Sequence, residues 1–283
     1  MNEPAPSSPV VLAPVVLALD IGGTKTALTV AGLDGVRHAD HVLATPADQG
    51  AHAGLKNAVD AARELLGGRE PVAVGVATIG IPGEDGVALA PNIPGWEQLA
   101  LRRELALAFP ESELRLVNDV KAAARHEYDH GSLAGADPGL YVNLGTGLAV
   151  ALIVGGTVLA GRNGASGEIG YNLCSPADVG RADRIPLEAV VSGKAHGRRP
   201  LDEGEFLAQL AFHLVNLTIA VDPERIAVGG GMARSWDALH GPLRRALDAA
   251  VPYPPQLVLA AHPHEAPLLG ALALALEAAH HPG

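Results

Sequence analysis

The chain is short of several things, and each shortage removes a class of function. Cys174 is the only cysteine among 283 residues, so neither an internal disulfide nor a cysteine-cluster zinc site can form. Bases are outnumbered, with 20 Lys and Arg against 31 Asp and Glu for a net charge of −11, and no dense basic run occurs. A phosphate backbone needs a basic surface, so nucleic acid is not expected as a partner. The longest late apolar run, residues 266–276, is too short to span a bilayer, so no membrane partner is expected either. The first fourteen residues are rich in Pro, Ser and Ala and lack the basic and apolar regions of a signal peptide. They read as a disordered tail, residues 1–14, on a soluble cytoplasmic protein. The histidines lack metal spacing: His38 with His41, His262 with His264, and His280 with His281 read as solvated loop or tail residues.

What is present is a globular composition, 48% hydrophobic and 18% charged, long enough for two domains with cores that need no staples. The organising stretch is Asp20-Ile21-Gly22-Gly23-Thr24-Lys25, set between the apolar runs 15–19 and 27–30. Glycines without Cβ let backbone N–H groups approach an anion, and Thr24 and Lys25 add a hydroxyl and a charge. Asp20 beside that anion makes sense if Mg²⁺ bridges them, because a bare carboxylate repels phosphate. A plain hairpin turn with incidental polar residues is the competing reading. The stretch is not a Walker A loop, which needs Gly-x-x-x-x-Gly-Lys and a following helix.

Along the chain the pattern predicts strands over 25–31 and 36–43, a helix over 51–66 stopped by Gly67-Gly68, a strand over 71–78, a helix over 97–108 and a strand over 114–117. The same order then returns, with a strand over 140–144 and a hairpin of 148–154 with 157–160. Helices over 187–195 and 203–221, a strand over 225–228, a helix over 235–250, a strand over 256–259 and a closing helix over 266–279 follow. This is an α/β chain built as a structural repeat without an obvious sequence repeat. Two such halves leave a cleft whose lips carry Gly22-Gly23 and Gly145-Thr146-Gly147, a natural place for a nucleotide.

Three more features belong to that cleft. Gly145, Thr146 and Gly147 repeat the phosphate-type turn. Gly229, Gly230 and Gly231 follow a strand and suit adenosine against backbone, although a tight strand–helix turn explains them equally. Asn118-Asp119 lies at a strand end and a helix start. Either residue is a good helix N-cap, but the pair sits at the junction of the halves, where an acceptor would lie. Phosphoryl transfer needs a group to orient the attacking hydroxyl and take its proton late in the reaction, which makes Asp119 the candidate base and Asn118 its neutral partner.

The set Asp20-Ile-Gly-Gly-Thr-Lys25, Gly80-Ile-Pro-Gly83, Asn92-Ile-Pro-Gly-Trp96, Asn118-Asp119, Leu144-Gly-Thr-Gly147, Gly167-Glu-Ile-Gly170 and Val228-Gly-Gly-Gly-Met232 resembles the ROK family of sugar kinases and sugar-responsive repressors. The resemblance runs in order over nearly the whole chain. It implies two duplicated actin-like, ribonuclease H-like domains (βββαβαβα) around an inter-domain cleft. A smaller domain is expected at 15–118 plus 266–283 and a larger one at 119–265. It implies an ATP-dependent hexose kinase, glucose being the first expectation, with Asp119 as base. Asp20, Gly22, Gly23, Thr24, Lys25, Gly145, Thr146 and Gly147 would hold Mg-ATP phosphates, with Mg²⁺ on Asp20, and Gly229, Gly230 and Gly231 would form the adenosine wall. Asn92, Asn118, Asp119, Glu168 and Glu188 would hold sugar hydroxyls, since carboxylates accept strong charge-assisted bonds. For Glu168 and Glu188 the bland alternative is surface charge. Trp96 either supports the sugar loop or is a core aromatic. A homodimer is expected by analogy.

The chain departs from the family at the zinc site. ROK kinases commonly place His after Glu-Ile-Gly and a cysteine cluster before Leu-Glu; here Tyr171 stands at the His position and only Cys174 remains in 171–186. One thiol is not a tetrahedral shell, so no structural zinc is expected. What orders 171–186 is then open, and Tyr171 either supplies a sugar contact or closes the pocket. Lys121, two residues past Asp119, need not face the site and is read as neutral. The competing functions are a sugar sensor without catalysis, a kinase for another hexose or amino sugar, and a kinase using polyphosphate. A repressor is not expected, because about fifteen residues precede the first strand, fewer than a helix-turn-helix needs.

Overall fold

Period-two burial sets the layering of the molecule. In the computed structural model, which describes residues 13–197 and 204–281, β1 (Val15–Ile21) is buried along its whole length. Val15, Leu17, Leu19 and Ile21 face one core and Val16 and Ala18 another, because successive side chains point to opposite faces of a strand. A strand buried on both faces is the centre of a sheet. Here it pairs antiparallel with β2 (Lys25–Gly32), which pairs with β3 (Arg37–Ala44), and parallel with β4 (Ala73–Thr78), which pairs with β7 (Glu113–Asn118). A two-residue hairpin, β5 (Ile81–Pro82) with β6 (Val87–Ala88), stands apart in the loop after β4. The order β3-β2-β1-β4-β7 recurs as β10-β9-β8-β11-β12, with β8 (Gly139–Leu144), β9 (Leu148–Val154), β10 (Thr157–Val158), β11 (Arg225–Gly229) and β12 (Gln256–Leu259). The duplication expected from element order is therefore present in sheet topology.

Helices α1 (Ala51–Leu66) and α2 (Leu101–Ala108) cover the large-residue face of the first sheet. Two more, α5 (Glu205–Val221) and α6 (Trp236–Ala250), cover the second after the single turn α4 (Gly193–His196). The third helix of each half crosses over. The first half's, α3 (Asp119–His130), packs through Val120, Ala123 and Ala124 on the second sheet, and the second half's, α7 (Ala266–His280), packs through Leu268, Ala271 and Ala275 on the first. The inner faces are lined mostly by alanine, so both helices approach closely. At Gly75 a Cβ would overlap the Ala271 carbonyl, and at Gly270 one would overlap that of Ala122. Each buried Leu, Ile or Val on the outer faces contributes about 1.5–3 kcal/mol, so the outer layers carry most of the hydrophobic stabilisation.

Two expected helices come out shorter. The one expected over 97–108 begins at Leu101, because Trp96 is fully buried with its indole N–H bonded to Thr78 Oγ1 at 3.3 Å, and turns fill 93–99. Trp96 is thus a core aromatic. The one expected over 187–195 is a 3-10 turn at Leu187–Ala189 followed by α4, which Ser192 caps through the Ala195 N–H. Residues 1–12 of the expected tail, Glu203 at the expected start of α5 and residues 282–283 lie outside the described residues.

Candidate active site

The parallel strands β1, β4 and β7 end at one edge of the first sheet, the edge where open α/β sheets offer ligands the ends of backbone and the starts of helices. Asp20 sits near the end of β1, while Asn118 ends β7 and Asp119 opens α3. The turns after β1 and β8 face each other above them, and a cleft of about 350 Å³ opens between the halves. Its walls include Asp20, Gly22, Gly23, Thr24, Lys25, Asn92, Asn118, Asp119, Gly145, Thr146, Gly147, Glu168, Tyr171, Glu188, Gly230 and Gly231. Every candidate site residue named from the sequence is there except Gly229. A Cβ on Gly229 would overlap the Tyr141 hydroxyl, so that glycine makes room for a buried side chain of the cleft wall.

The first lip is a tight turn in which the Gly22 N–H donates to Lys25 O at 3.0 Å and Gly22 O accepts from Thr45 Oγ1 at 2.8 Å. Lys25 Nζ reaches across to His264 O at 3.4 Å. The second lip is held from behind: the Gly193 N–H donates to Gly145 O at 2.8 Å and the Lys194 N–H to Thr146 O at 3.4 Å. Glu188 Oε2 accepts the Leu148 N–H at 3.0 Å, packed so closely that a Cβ on Gly147 would stand 2.5 Å from it.

Asn118 is a helix cap as well as a wall residue. Its Oδ1 accepts from Val120 N (3.0 Å) and Lys121 N (3.2 Å), and its Nδ2 donates to Gly80 O at 2.9 Å. That leaves one amide hydrogen for a ligand. Asp119 Oδ1 accepts from its neighbour Val120 N at 2.9 Å. Burial, then the charges of Asp20 and Glu168, push the Asp119 carboxyl up to about 7, and burial pushes Asp20 up to about 6 against the pull of Lys25. Burial also raises Glu168, opposed by Lys121. Such a gathering of acids with raised pKa values makes the cleft the candidate functional site. Asp20 fits a divalent cation for the same reason, since a cation relieves the carboxylate repulsion that its burial concentrates.

Segment 171–186 closes on itself by hydrogen bonds. Leu173 bridges Pro186, Leu187 N donates to Asn172 O at 3.1 Å, and Arg184 donates to Tyr171 O at 3.2 Å. Ser175 and Asp178 form a capping box, and Gln209 and His213 of α5 hold Cys174 O and Asn172. Among the described residues no three His, Cys, Asp or Glu converge as a metal shell, and no helix is long and apolar enough to cross a membrane.

Sequence reading missed Tyr141, Asn143, Arg234, Pro263 and His264, which also line the cleft. Tyr141 and Asn143 sit inside a strand, and Pro263 and His264 in the loop after β12, positions where only the fold reveals proximity. Lys121, which the sequence leaves neutral, is 7% exposed, and its ammonium turns toward the loop that carries Glu168.

The ROK family model matches residues 16–205. The bifunctional enzyme NanE/NanK of Brucella melitensis is 29% identical over 270 residues, covering 86% of this chain and 49% of that protein, so the chain spans about half its length. The N-acetylmannosamine kinase of Escherichia fergusonii is 30% identical over 292 residues, covering 92% of this chain and 97% of that one. The crystal structure of the ROK hexokinase from Thermus thermophilus superposes with a TM-score of 0.70 at 30% identity, covering 94% of this chain and all of that one.

Proposed function

The chain belongs to the ROK family, and on that footing we propose that it is an ATP-dependent sugar kinase, transferring the γ-phosphate to a hexose hydroxyl, with glucose to glucose 6-phosphate as the first acceptor to test. The observation that carries this reading is the convergence in one cleft of two glycine-bearing turns, Asp20 and Asp119, with Glu168, Glu188 and Asn92 beside them. Residues 15–118 with 266–283 would form the smaller lobe and 119–265 the larger; in support, α7 packs on the first sheet.

In this reading the Gly22–Gly23 and Gly145–Gly147 turns, the Thr24 and Thr146 hydroxyls and Lys25 hold the donor phosphates, and Gly230 and Gly231 take the adenosine side. Asp20 would hold magnesium, which would supply charge neutralisation for the donor phosphates. Asn92, Asn118, Glu168, Tyr171 and Glu188 orient the sugar. The acceptor oxygen attacks the terminal phosphorus, the bond from that phosphorus to the bridging oxygen breaks, ADP leaves, and the acceptor's proton passes to the Asp119 carboxylate. A base held at about 7 is matched to neutral pH, where about half of it is ionised and the ionised form is a good proton acceptor.

The test is a sugar-by-donor panel on purified protein, with ATP and polyphosphate as donors. ADP should form only with sugar and Mg²⁺ present, and Asp119→Asn should remove turnover while sugar still binds; unchanged turnover in that variant overturns the assignment of the base. An amino sugar is the second reading for the acceptor, favoured by the likeness to an N-acetylmannosamine kinase and by Tyr171, 43% exposed at the cleft wall, where the family commonly has His. A homodimer in the cytoplasm is part of the same proposal, and light scattering at twice 28.9 kDa is its check.

A further inference from the structure

We infer that Lys121 is a positioning residue for the acceptor: it clamps the loop after β10 against the first turn of α3 and so fixes Glu168 relative to Asp119. The inference rests on the sugar-kinase reading above for its functional half and on geometry alone for its structural half. Lys121 Nζ donates to Gly164 O at 2.8 Å and to Ser166 O at 3.2 Å, 43 and 45 residues away in sequence. Its side chain is nearly buried, at 7% exposed for the residue as a whole. A lysine is seldom taken out of water unless its donors are met, and here two of three are met by loop carbonyls.

The loop has support on its other side but little at this point. Val150 N donates to Gly167 O at 2.8 Å and Ser166 N to Ala160 O at 3.1 Å, which anchors the strand flank. Gly164 lies at φ +75° against Ile81, where a Cβ would stand 2.7 Å from Cγ2, and its own N–H reaches only Gly161 O at 3.4 Å. Among the described residues, Lys121 is the donor that meets the carbonyls of 164 and 166. Glu168 follows two residues after Ser166 with its N–H on Ala165 O at 3.3 Å, so the clamp sets where that carboxylate stands. The ammonium also opposes the burial that would protonate Glu168. Asp119 and Lys121 share one helical turn, so the clamp ties the candidate base and the candidate sugar carboxylate to one rigid element. Among the described residues no hydrogen bond or ion pair joins Lys121 to the donor turns at Gly22–Lys25 and Gly145–Gly147.

The experiment compares wild type with Lys121→Met, Lys121→Gln and Lys121→Arg. Amide hydrogen exchange of residues 161–170 in the free protein reads the clamp without any substrate. Steady-state kinetics and calorimetric sugar binding without donor read its consequence. Lys121→Met should speed exchange of 161–170 about tenfold or more, raise the sugar KM and Kd by a similar factor and leave the ATP KM within about twofold, since charged hydrogen bonds are lost on the acceptor side alone. Arg, which keeps charge and donors, should restore most of the effect, and Gln should fall between. Unchanged exchange in the Met and Gln variants overturns the clamp. Faster exchange with an unchanged sugar KM and Kd overturns the positioning role. A wild type that binds and phosphorylates no sugar overturns the kinase reading and with it the positioning role, while the exchange arm still decides the clamp. Should Lys121→Met fail to fold, the Gln and Arg variants decide both points.

Discussion

Thr24 Oγ1 and Thr146 Oγ1 stand 3.1 Å apart, one on each lip of the cleft, 122 residues from each other in sequence. The two phosphate-type turns are thus close enough for their hydroxyls to share a hydrogen, and a phosphate entering between them exchanges that neutral bond for charge-assisted ones. Thr146→Val should therefore weaken the donor specifically. Bonds to charged groups are worth roughly 1.5–3 kcal/mol, so the ATP KM should rise about tenfold or more with the sugar KM little changed. Steady-state kinetics with each substrate varied in turn reads both.

The acid cluster predicts a pH dependence of sign opposite to that of an ordinary salt-bridged carboxylate. Asp119 is pushed from the usual range near 4 up to about 7 and Asp20 up to about 6. A raised folded pKa means the fold binds the proton more tightly than the unfolded chain. That contribution to stability is fully present below about pH 4 and is lost as pH rises through about 7. The ligand-free protein should melt lower at pH 8 than Asp119→Asn, and the difference should shrink toward pH 5. Scanning calorimetry across that window is the check. Catalysis runs the other way, since the ionised base is the working form: kcat/KM for the sugar should fall with unit slope below about pH 7.

Much of this was legible in the sequence, for identifiable reasons. The β1 run ending in Asp20-Ile21-Gly22-Gly23 and the β8 run ending in Leu144-Gly145 declare strands and turns locally, and the repeated order of elements gave the duplicated sheet. Helix α1 announces both its face and its stop, with Leu55, Ala62 and Leu66 buried and Gly67 left-handed at φ 60°. What escaped were distances between parts far apart in sequence. Ser192 starts a fresh turn because Gly193 must lie against Gly145, where a Cβ would stand 2.6 Å from its carbonyl oxygen. Nothing within 187–195 reports that contact. Lys121 was illegible for the same reason, because its acceptors belong to a loop more than 40 residues on.

The crossing of α3 and α7 gives a test in which two effects oppose. Gly270 sits inside α7, where alanine favours helix by about 1 kcal/mol. A Cβ there would overlap the carbonyl of Ala122 in α3, and backbone atoms yield less readily than a side chain. Overpacking costs about 1–3 kcal/mol or more, so the clash should win. Gly270→Ala should lower the urea midpoint, whereas Gly67→Ala, with open space around its Cβ but φ at +60°, should lose stability through backbone strain alone. Because α3 carries Asp119, kcat should fall in the first variant and hold in the second.

Gly229 and Tyr141 offer a double-mutant cycle that separates packing from nucleotide binding. Tyr141 is fully buried, its hydroxyl has no hydrogen-bond partner among the described residues, and that hydroxyl fills the place of a Cβ on Gly229. Gly229→Ala should destabilise the fold by about 1–3 kcal/mol through overlap. Tyr141→Phe should be neutral or slightly stabilising, because it removes a buried polar atom that nothing satisfies. Together the two should cost less than Gly229→Ala alone, a positive coupling measurable by denaturant melts. The recovery should be incomplete, since the ring carbon beneath the hydroxyl would still stand 2.8 Å from the new methyl. If Gly229 also forms part of an adenosine wall, Gly229→Ala should raise the ATP KM by the same factor whether residue 141 is Tyr or Phe, while the coupling in stability remains.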